Sequence, residues 1–320
     1  MVKILKNPSQ PCTVLMPVYN GSKFLERSIL NIKLGLRDFD ELLIINDGSD
    51  DLTESEFKKF SSYDSRIRII NRRHSGLVSA LNFGISMAKH EFIARADVDD
   101  LYSRNRLVAQ SNFLKKNTGH AAVFCDYEII DMTGKSLGKI PSPMSPQLTK
   151  LSLLNSQRTP HPGVMFRKSM VLDVGGYLKK DFPAEDLSLW MRLSNKYDLG
   201  SIPQVLLFYT LHEASISSKK YAEMKLVSNR LKVSFANNIL ESSIEREAGE
   251  MLSKYNLSHQ KSARKMLFIY DLMTFKKMNH ELNIQTFIIN ILKYSRWFSI
   301  SSIYVLSKFL ILRFQKRSNE

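Results

Sequence analysis

Apolar residues fall in short, nearly unbroken runs early in the chain: TVLMPV (13–18), ELLIIND (41–47), RIRIIN (66–71) and EFIARAD (91–97). Each has the length and β-branched content of a buried strand. Between them lie GSKFLERSILNIKLGL (21–36) and SGLVSALNFGISMAKH (75–90), where apolar positions recur every three or four residues, the pattern of a helix with one apolar face. This alternation predicts a parallel sheet covered by helices on both faces. Ligands bind such sheets beyond the carboxyl ends of the strands. Those ends read PVYN (17–20), NDGSDD (46–51), NRRH (71–74) and DVDD (97–100), so polar and acidic residues collect at one edge.

After Leu101 the pattern gives a helix (104–117), an extended run (121–131) and a turn, MTGKSLG (132–138). TGKS resembles the end of a phosphate loop, but Ile129 stands where that loop needs its first glycine, so the segment reads as a hairpin turn. No G-x-G-x-x-G follows the first strand, which argues against a nicotinamide dehydrogenase. Composition shifts near Ile216, beyond which turn residues thin out and long helical patterns take over. The expected organisation is therefore an α/β domain over 1–217 and a helical, basic region over 218–320.

Charge changes the picture most at the C-terminal end. The net charge is +15, and residues 216–320 carry 18 Lys and Arg against 8 Asp and Glu, or +10 of that total. Such a surface attracts polyanions, either nucleic acid or anionic lipid. No helix-turn-helix, zinc or RNP pattern supports nucleic acid. The apolar stretch 284–314 is interrupted by Lys293, Arg296, Lys308 and Arg313, so its charge-free runs are too short to span a bilayer. As a helix it sets Phe287, Ile291, Tyr294 and Phe298 among cations, with Trp297 adjacent, and suits a membrane interface. The alternative is an amphipathic helix packed on the α/β domain or on a second copy, giving a homo-oligomer. Cys12 and Cys125 have no paired spacing, and the N-terminus is broken by Lys3, Lys6, Pro8 and Pro11. Both features lead us to expect a cytoplasmic protein, and the basic C-terminal segment one peripheral on the inner face of the membrane.

The sharpest chemical signal is ARADVDD (94–100). Three carboxylates within four positions repel one another. A solvated turn accommodates them; so does a hard divalent cation, which takes carboxylate oxygens together with nucleotide phosphates. On an extended strand end Asp97 and Asp99 share a side. Asp100 is expected to cap the helix that starts near Arg104. Farther on, Glu185 and Asp186 precede an amphipathic run containing Trp190, where acids suit a helix N-terminus.

Together, VLMPVYN, IINDGSDD, IARADVDD, RTPHPGVMFRKS, VGGY, AEDLSLWMRL and IPQVLLFYTLHEASIS resemble, in order and spacing over roughly residues 10–217, the inverting glycosyltransferases of family 2 of the bacterial surface-polysaccharide type. The resemblance implies a GT-A fold, Rossmann-like, with a mostly parallel sheet flanked by helices. It implies that Pro17, Tyr19, Asp47, Asn71, Arg73 and Asp97 bind the nucleotide, Asp47 bonding a pyrimidine. It further implies that Asp99, His212 and Asp97 hold Mn²⁺ or Mg²⁺, that Asp186 is the catalytic base, and that His161, Glu185 and Trp190 border the acceptor and donor-sugar cleft. Thr210 stands where many such enzymes carry Arg. The implied reaction moves a sugar from a nucleotide-sugar, expected to be a UDP-sugar, to a glycan hydroxyl on a polyprenyl-diphosphate carrier in O-antigen or capsule assembly. An inactive glycan-binding relative and a basic nucleic-acid-binding protein are the competing readings.

Overall fold

Every residue of the first strand, β1 (Cys12–Val18), is buried, as are all six of β2 (Glu41–Asn46), so both strands lie inside a sheet covered on its two faces. The computed structural model describes residues 10–239, apart from 52, 54–55, 58–59, 61–63, 144, 156–158, 213–214 and 216–218. β3 (Ile67–Asn71) pairs with β2, and β4 (Phe92–Arg95) with the other side of β1, every one of these pairings being parallel. The expected βαβ block is thus present. Its helices include α1 (Ser22–Lys33), which turns Leu25, Ser28, Ile29 and Ile32 inward, and α2 (Leu77–Met87). Position 84 of α2 suits glycine, because a Cβ there would lie 2.3 Å from Leu15 Cδ1 and force that side chain to shift. Its absence lets the helix sit close against β1.

Beyond β4 the sheet becomes mixed. The elements that follow are β5 (Leu101–Tyr102), α3 (Arg106–Lys116), β6 (His120–Ile130), β7 (Ser136–Ile140), α4 (Pro146–Asn155), β8 (Met165–Arg167), α5 (Lys168–Asp173), α6 (Glu185–Ser194), β9 (Asp198–Thr210) and α7 (Tyr221–Ile239). The strand order is β3-β2-β1-β4-β8-β6-β9-β5, with β7 paired to β6. β8 runs antiparallel to β4 and β6, and β6 runs parallel to β9. The TGKS stretch closes the β6–β7 hairpin, with Gly134 at φ +87°, a conformation that disfavours side chains.

Two expectations are corrected here. β4 ends at Arg95, so Asp97–Asp100 form a turn rather than a strand end. The next helix begins at Arg106 behind Asn105, and Asp100 does not cap it; its Oδ1 instead accepts the Thr210 N–H of β9 (2.8 Å).

The chain divides into two compact units, Met1–Lys232 and Val233–Glu320. The first runs past the expected boundary at 217, and Arg230 of α7 pairs with Asp181 (3.1 Å) within it. The segment 284–314 lies outside the described residues. Among those described, no helix is long and apolar enough to cross a membrane.

Candidate active site

The acidic turn after β4 is held from four directions. Arg95, buried in the sheet, donates to Asp97 Oδ1 (2.5 Å) and to the Ala96 carbonyl. The Tyr102 hydroxyl accepts the Asp97 N–H (2.7 Å). Arg27 of α1 donates to the Asp99 carbonyl (2.7 Å) and the Thr210 hydroxyl (3.3 Å). His212 Nε2 shares a hydrogen bond with Asp99 Oδ2 (2.7 Å), and its ring lies 5.0 Å from that of Phe24. The turn brings one oxygen each of Asp97, Asp99 and Asp100 within 4.8 Å of one another. Burial and the neighbouring Asp97 raise the Asp99 carboxyl above its ordinary range, and burial raises Asp100 well above it. Asp100 Oδ2 is buried with no hydrogen-bond partner among the described residues. An all-oxygen set with an unsatisfied buried carboxylate oxygen fits a hard divalent cation, which would offset the repulsion.

The second acidic pair opens α6. Glu185 is 5% exposed, and its Oε2 has no hydrogen-bond partner among the described residues. Burial, then the charge of Asp186, pushes its carboxyl up to about 8. Asp186 is half-buried and accepts the Leu187 N–H (2.7 Å). Burial pushes it up to about 6 against the pull of backbone N–H groups and of Arg95. A helix N-terminus favours the charged form, so here desolvation outweighs the dipole. The charges of Arg95 and Asp97 are felt at both carboxylates, which ties this pair to the acidic turn. His161 Nε2 shares a hydrogen bond with the Tyr177 hydroxyl (2.8 Å), and burial holds His161 well below its ordinary value, hence neutral. Trp190, expected to border the cleft, has no exposed surface. It packs edge-on against Phe124 (5.2 Å) and His161 (6.0 Å), as a core residue behind the site.

The third cluster lies at the ends of β1, β2 and β3, where Val18, Asn46 and Asn71 stand side by side in register. Asn46 Nδ2 donates to Asn71 Oδ1 (3.0 Å). Asp47 is 2% exposed, and its carboxylate accepts the Ser75 N–H (3.2 Å), the Ser75 hydroxyl (2.9 Å) and the Gly76 N–H (2.8 Å). Arg72 Nε lies 3.6 Å from Asp47 Oδ1. These bonds fasten the β3–α2 loop, which passes so near Gly48 (φ +72°) that a Cβ there would fall 2.5 Å from the His74 nitrogen. Tyr19 is 48% exposed, its ring centroid 4.1 Å from that of His74. Pro17 is buried within β1, and Arg73 is exposed.

The sequence reading did not single out Arg27, Arg95, His74 or Tyr177. Arg95 carried a signal, a cation set between Ala94 and Ala96 in the run EFIARAD. A buried cation needs a partner, and the partly exposed Asp97 supplies it.

The family model described as "Glycosyl transferase family 2" matches residues 13–175. One relative is the "UDP-Gal:alpha-D-GlcNAc-diphosphoundecaprenol beta-1,3-galactosyltransferase" of Escherichia coli, 31% identical over 205 residues, 61% of this chain and 72% of that protein. Another, also from Escherichia coli, is the "O-antigen biosynthesis glycosyltransferase WbnJ", 27% identical over 224 residues, 69% of this chain and 87% of that one. Among solved structures, S. aureus TarS 1-349 in complex with UDP-GlcNAc superposes with a TM-score of 0.58 at 18% identity, over 71% of this chain and 67% of TarS. That likeness concerns the fold, which is the expected GT-A arrangement. The chain belongs to glycosyltransferase family 2 and is a transferase.

Proposed function

We propose that the enzyme transfers a sugar, with inversion and with a divalent metal, from a UDP-sugar to a hydroxyl of a polyprenyl-diphosphate-linked glycan in bacterial surface-polysaccharide assembly. The observation that carries this reading is the convergence of Asp97, Asp99 and Asp100 within 4.8 Å at the carboxyl edge of the sheet, electrostatically tied through Arg95 to a half-buried Asp186. Family membership favours it over a nucleic-acid-binding or inactive protein.

Asp186 acts as general base. Raised to about 6, it is a stronger base than an ordinary aspartate yet remains mostly ionised at neutral pH. It takes the proton from the acceptor hydroxyl as that oxygen attacks the anomeric carbon from the face opposite the departing diphosphate, so configuration inverts. Asp97 and Asp99 would hold Mn²⁺ or Mg²⁺, with Asp100 beside them and His212 next to Asp99 as a further ligand, and the ion when bound supplies Lewis-acid stabilisation of charge on the diphosphate. Arg95 and Tyr102 fix Asp97 for that task, and Arg27 fixes the backbone at Asp99. Tyr19, Asn71 and Arg73 border the nucleotide, and neutral His161 with Glu185 borders the acceptor. The UDP-sugar donor and lipid-linked acceptor are supported by the printed substrates of the galactosyltransferase relative and by the UDP-GlcNAc bound to TarS. The basic C-terminal region suits attachment to the membrane that carries such an acceptor.

A panel of nucleotide-sugars, assayed with a polyprenyl-diphosphate-linked sugar and either Mn²⁺ or EDTA, tests the proposal. Transfer from a UDP-sugar that EDTA abolishes is expected. Transfer unaffected by chelation would contradict the metal assignment, and transfer only from a donor with another base would contradict the UDP assignment.

A further inference from the structure

We propose that Arg230 of α7 is a positioning residue for the reaction: by holding Asp181 it fixes the loop that enters α6, and so the place of Asp186 in the site. This deepens the transfer reading above and rests on it, since it takes Asp186 as the base.

Asp186 owes its place to the loop before it. That loop closes on itself through backbone bonds, the Asp181 N–H donating to the Leu178 carbonyl (3.1 Å) and the Ala184 N–H to the Asp181 carbonyl (2.8 Å). Ala184, the residue ahead of α6, offers no side-chain cap. The Asp181 side chain ties loop to helix instead. Its carboxylate is 3% exposed, and Oδ2 accepts the hydroxyl of Ser188 in the first turn of α6 (2.5 Å). A second tie comes from α7. Arg230 Nη2 donates to Asp181 Oδ1 (3.1 Å) and to the Lys180 carbonyl (3.2 Å), and Lys220, just ahead of α7, sets its ammonium 4.8 Å from the centroid of the Phe182 ring. Asp181 thus stands between two helices, one oxygen on each.

Without the Arg230 cation this buried charge keeps the Ser188 hydroxyl, while Arg192 of α6 is felt through its charge. A buried carboxylate with so few donors is poorly compensated, so the loop relieves it by turning Asp181 toward water, and the first turn of α6 moves with it. The effect on folding is small, because the Arg230 side chain is 61% exposed and a surface ion pair contributes little. The effect on the base is large. Proton transfer needs hydrogen-bond reach, and a misplacement of about 1 Å costs up to a hundredfold. In the chain α7 follows His212, so the segment that leaves the acidic turn goes on to hold the loop of the base.

The test measures three quantities on the full chain with Mn²⁺, for the wild type, Arg230→Ala and Arg230→Lys: kcat for transfer to a polyprenyl-diphosphate-linked sugar, UDP affinity by calorimetry, and thermal unfolding. Arg230→Ala should lower kcat by roughly tenfold to a hundredfold, with UDP affinity within about twofold of the wild type and Tm within about 3 °C. Both bonds leave from one nitrogen, Nη2, so an ammonium can replace it, and Arg230→Lys should recover most of the rate. An Arg230→Ala variant with the wild-type kcat would overturn the inference and leave the transfer reading standing. So would a loss of kcat, UDP affinity and Tm together, which marks a merely structural role, or an Arg230→Lys variant as slow as Arg230→Ala. A wild type that transfers no sugar would overturn the transfer reading itself, and this inference with it.

Discussion

Asp47 and Glu185 are almost equally buried, at 2% and 5% exposure, yet their surroundings differ. Asp47, at the end of β2, receives two backbone N–H groups and a hydroxyl, with Arg72 and His74 beside it. Glu185, at the start of α6, leaves Oε2 without a partner among the described residues and has Asp186 as its neighbour. Burial alone therefore does not decide what a carboxylate does. Where donors surround it, it fastens a loop; where they are missing, it holds its proton to an unusually high pH and is poised for chemistry.

The largest effect expected from breaking this contrast is on catalysis at the acidic turn. Asp99→Asn should lower transfer by at least about a hundredfold, because stabilisation of a departing diphosphate is worth several kcal/mol. Thermal unfolding of the same variant should stay near the wild type, since the change removes like-charge repulsion. Asp47→Ala should act first on stability. Stranding the Ser75 and Gly76 N–H groups should cost about 3 kcal/mol and lower Tm by roughly 6–12 °C.

Glu185→Gln sharpens the comparison through pH. The carboxyl titrates near 4.5 when unfolded and is pushed up to about 8 in the fold. Stability from the neutral form is complete below about 4.5 and is lost as pH rises toward 8. The permanently neutral Gln should thus match the wild type at pH 4.5 and unfold at higher temperature at pH 8.5, by several degrees, which calorimetry at the two pH values reads. The smallest expected effect is in the pH profile. With Asp186 raised to about 6, kcat should be flat near pH 7.5 and fall below about 6 as the base protonates, approaching tenfold per unit.

The parallel half of the fold was legible because the periodicity of residues 13–95 is unambiguous: unbroken apolar runs alternate with residues spaced three or four apart. The second half was less so. β8 has three residues and β5 two, too short for a period to emerge, and β9 pairs with β6 across irregular register. The carboxylates of the site were visible as residues, but their geometry was not. Asp100 looked like a cap because an acid stands before a helix, whereas a two-residue strand intervenes and turns it toward Thr210. Trp190 looked like a cleft residue because it follows Glu185 and Asp186 closely; one turn of helix carries it into the core against Phe124. His74 was passed over for Arg73 because charge is readable in a sequence, while a ring seated beside Tyr19 is not.

The most direct test of the central claim is a pair of measurements on Asp186→Asn, UDP binding and sugar transfer, each against the wild type. UDP affinity should stay within about twofold of the wild type and transfer should fall by roughly a hundredfold to ten-thousandfold, the range for loss of a general base. Transfer at the wild-type rate would contradict the assignment of Asp186, and with it the mechanism built on the start of α6.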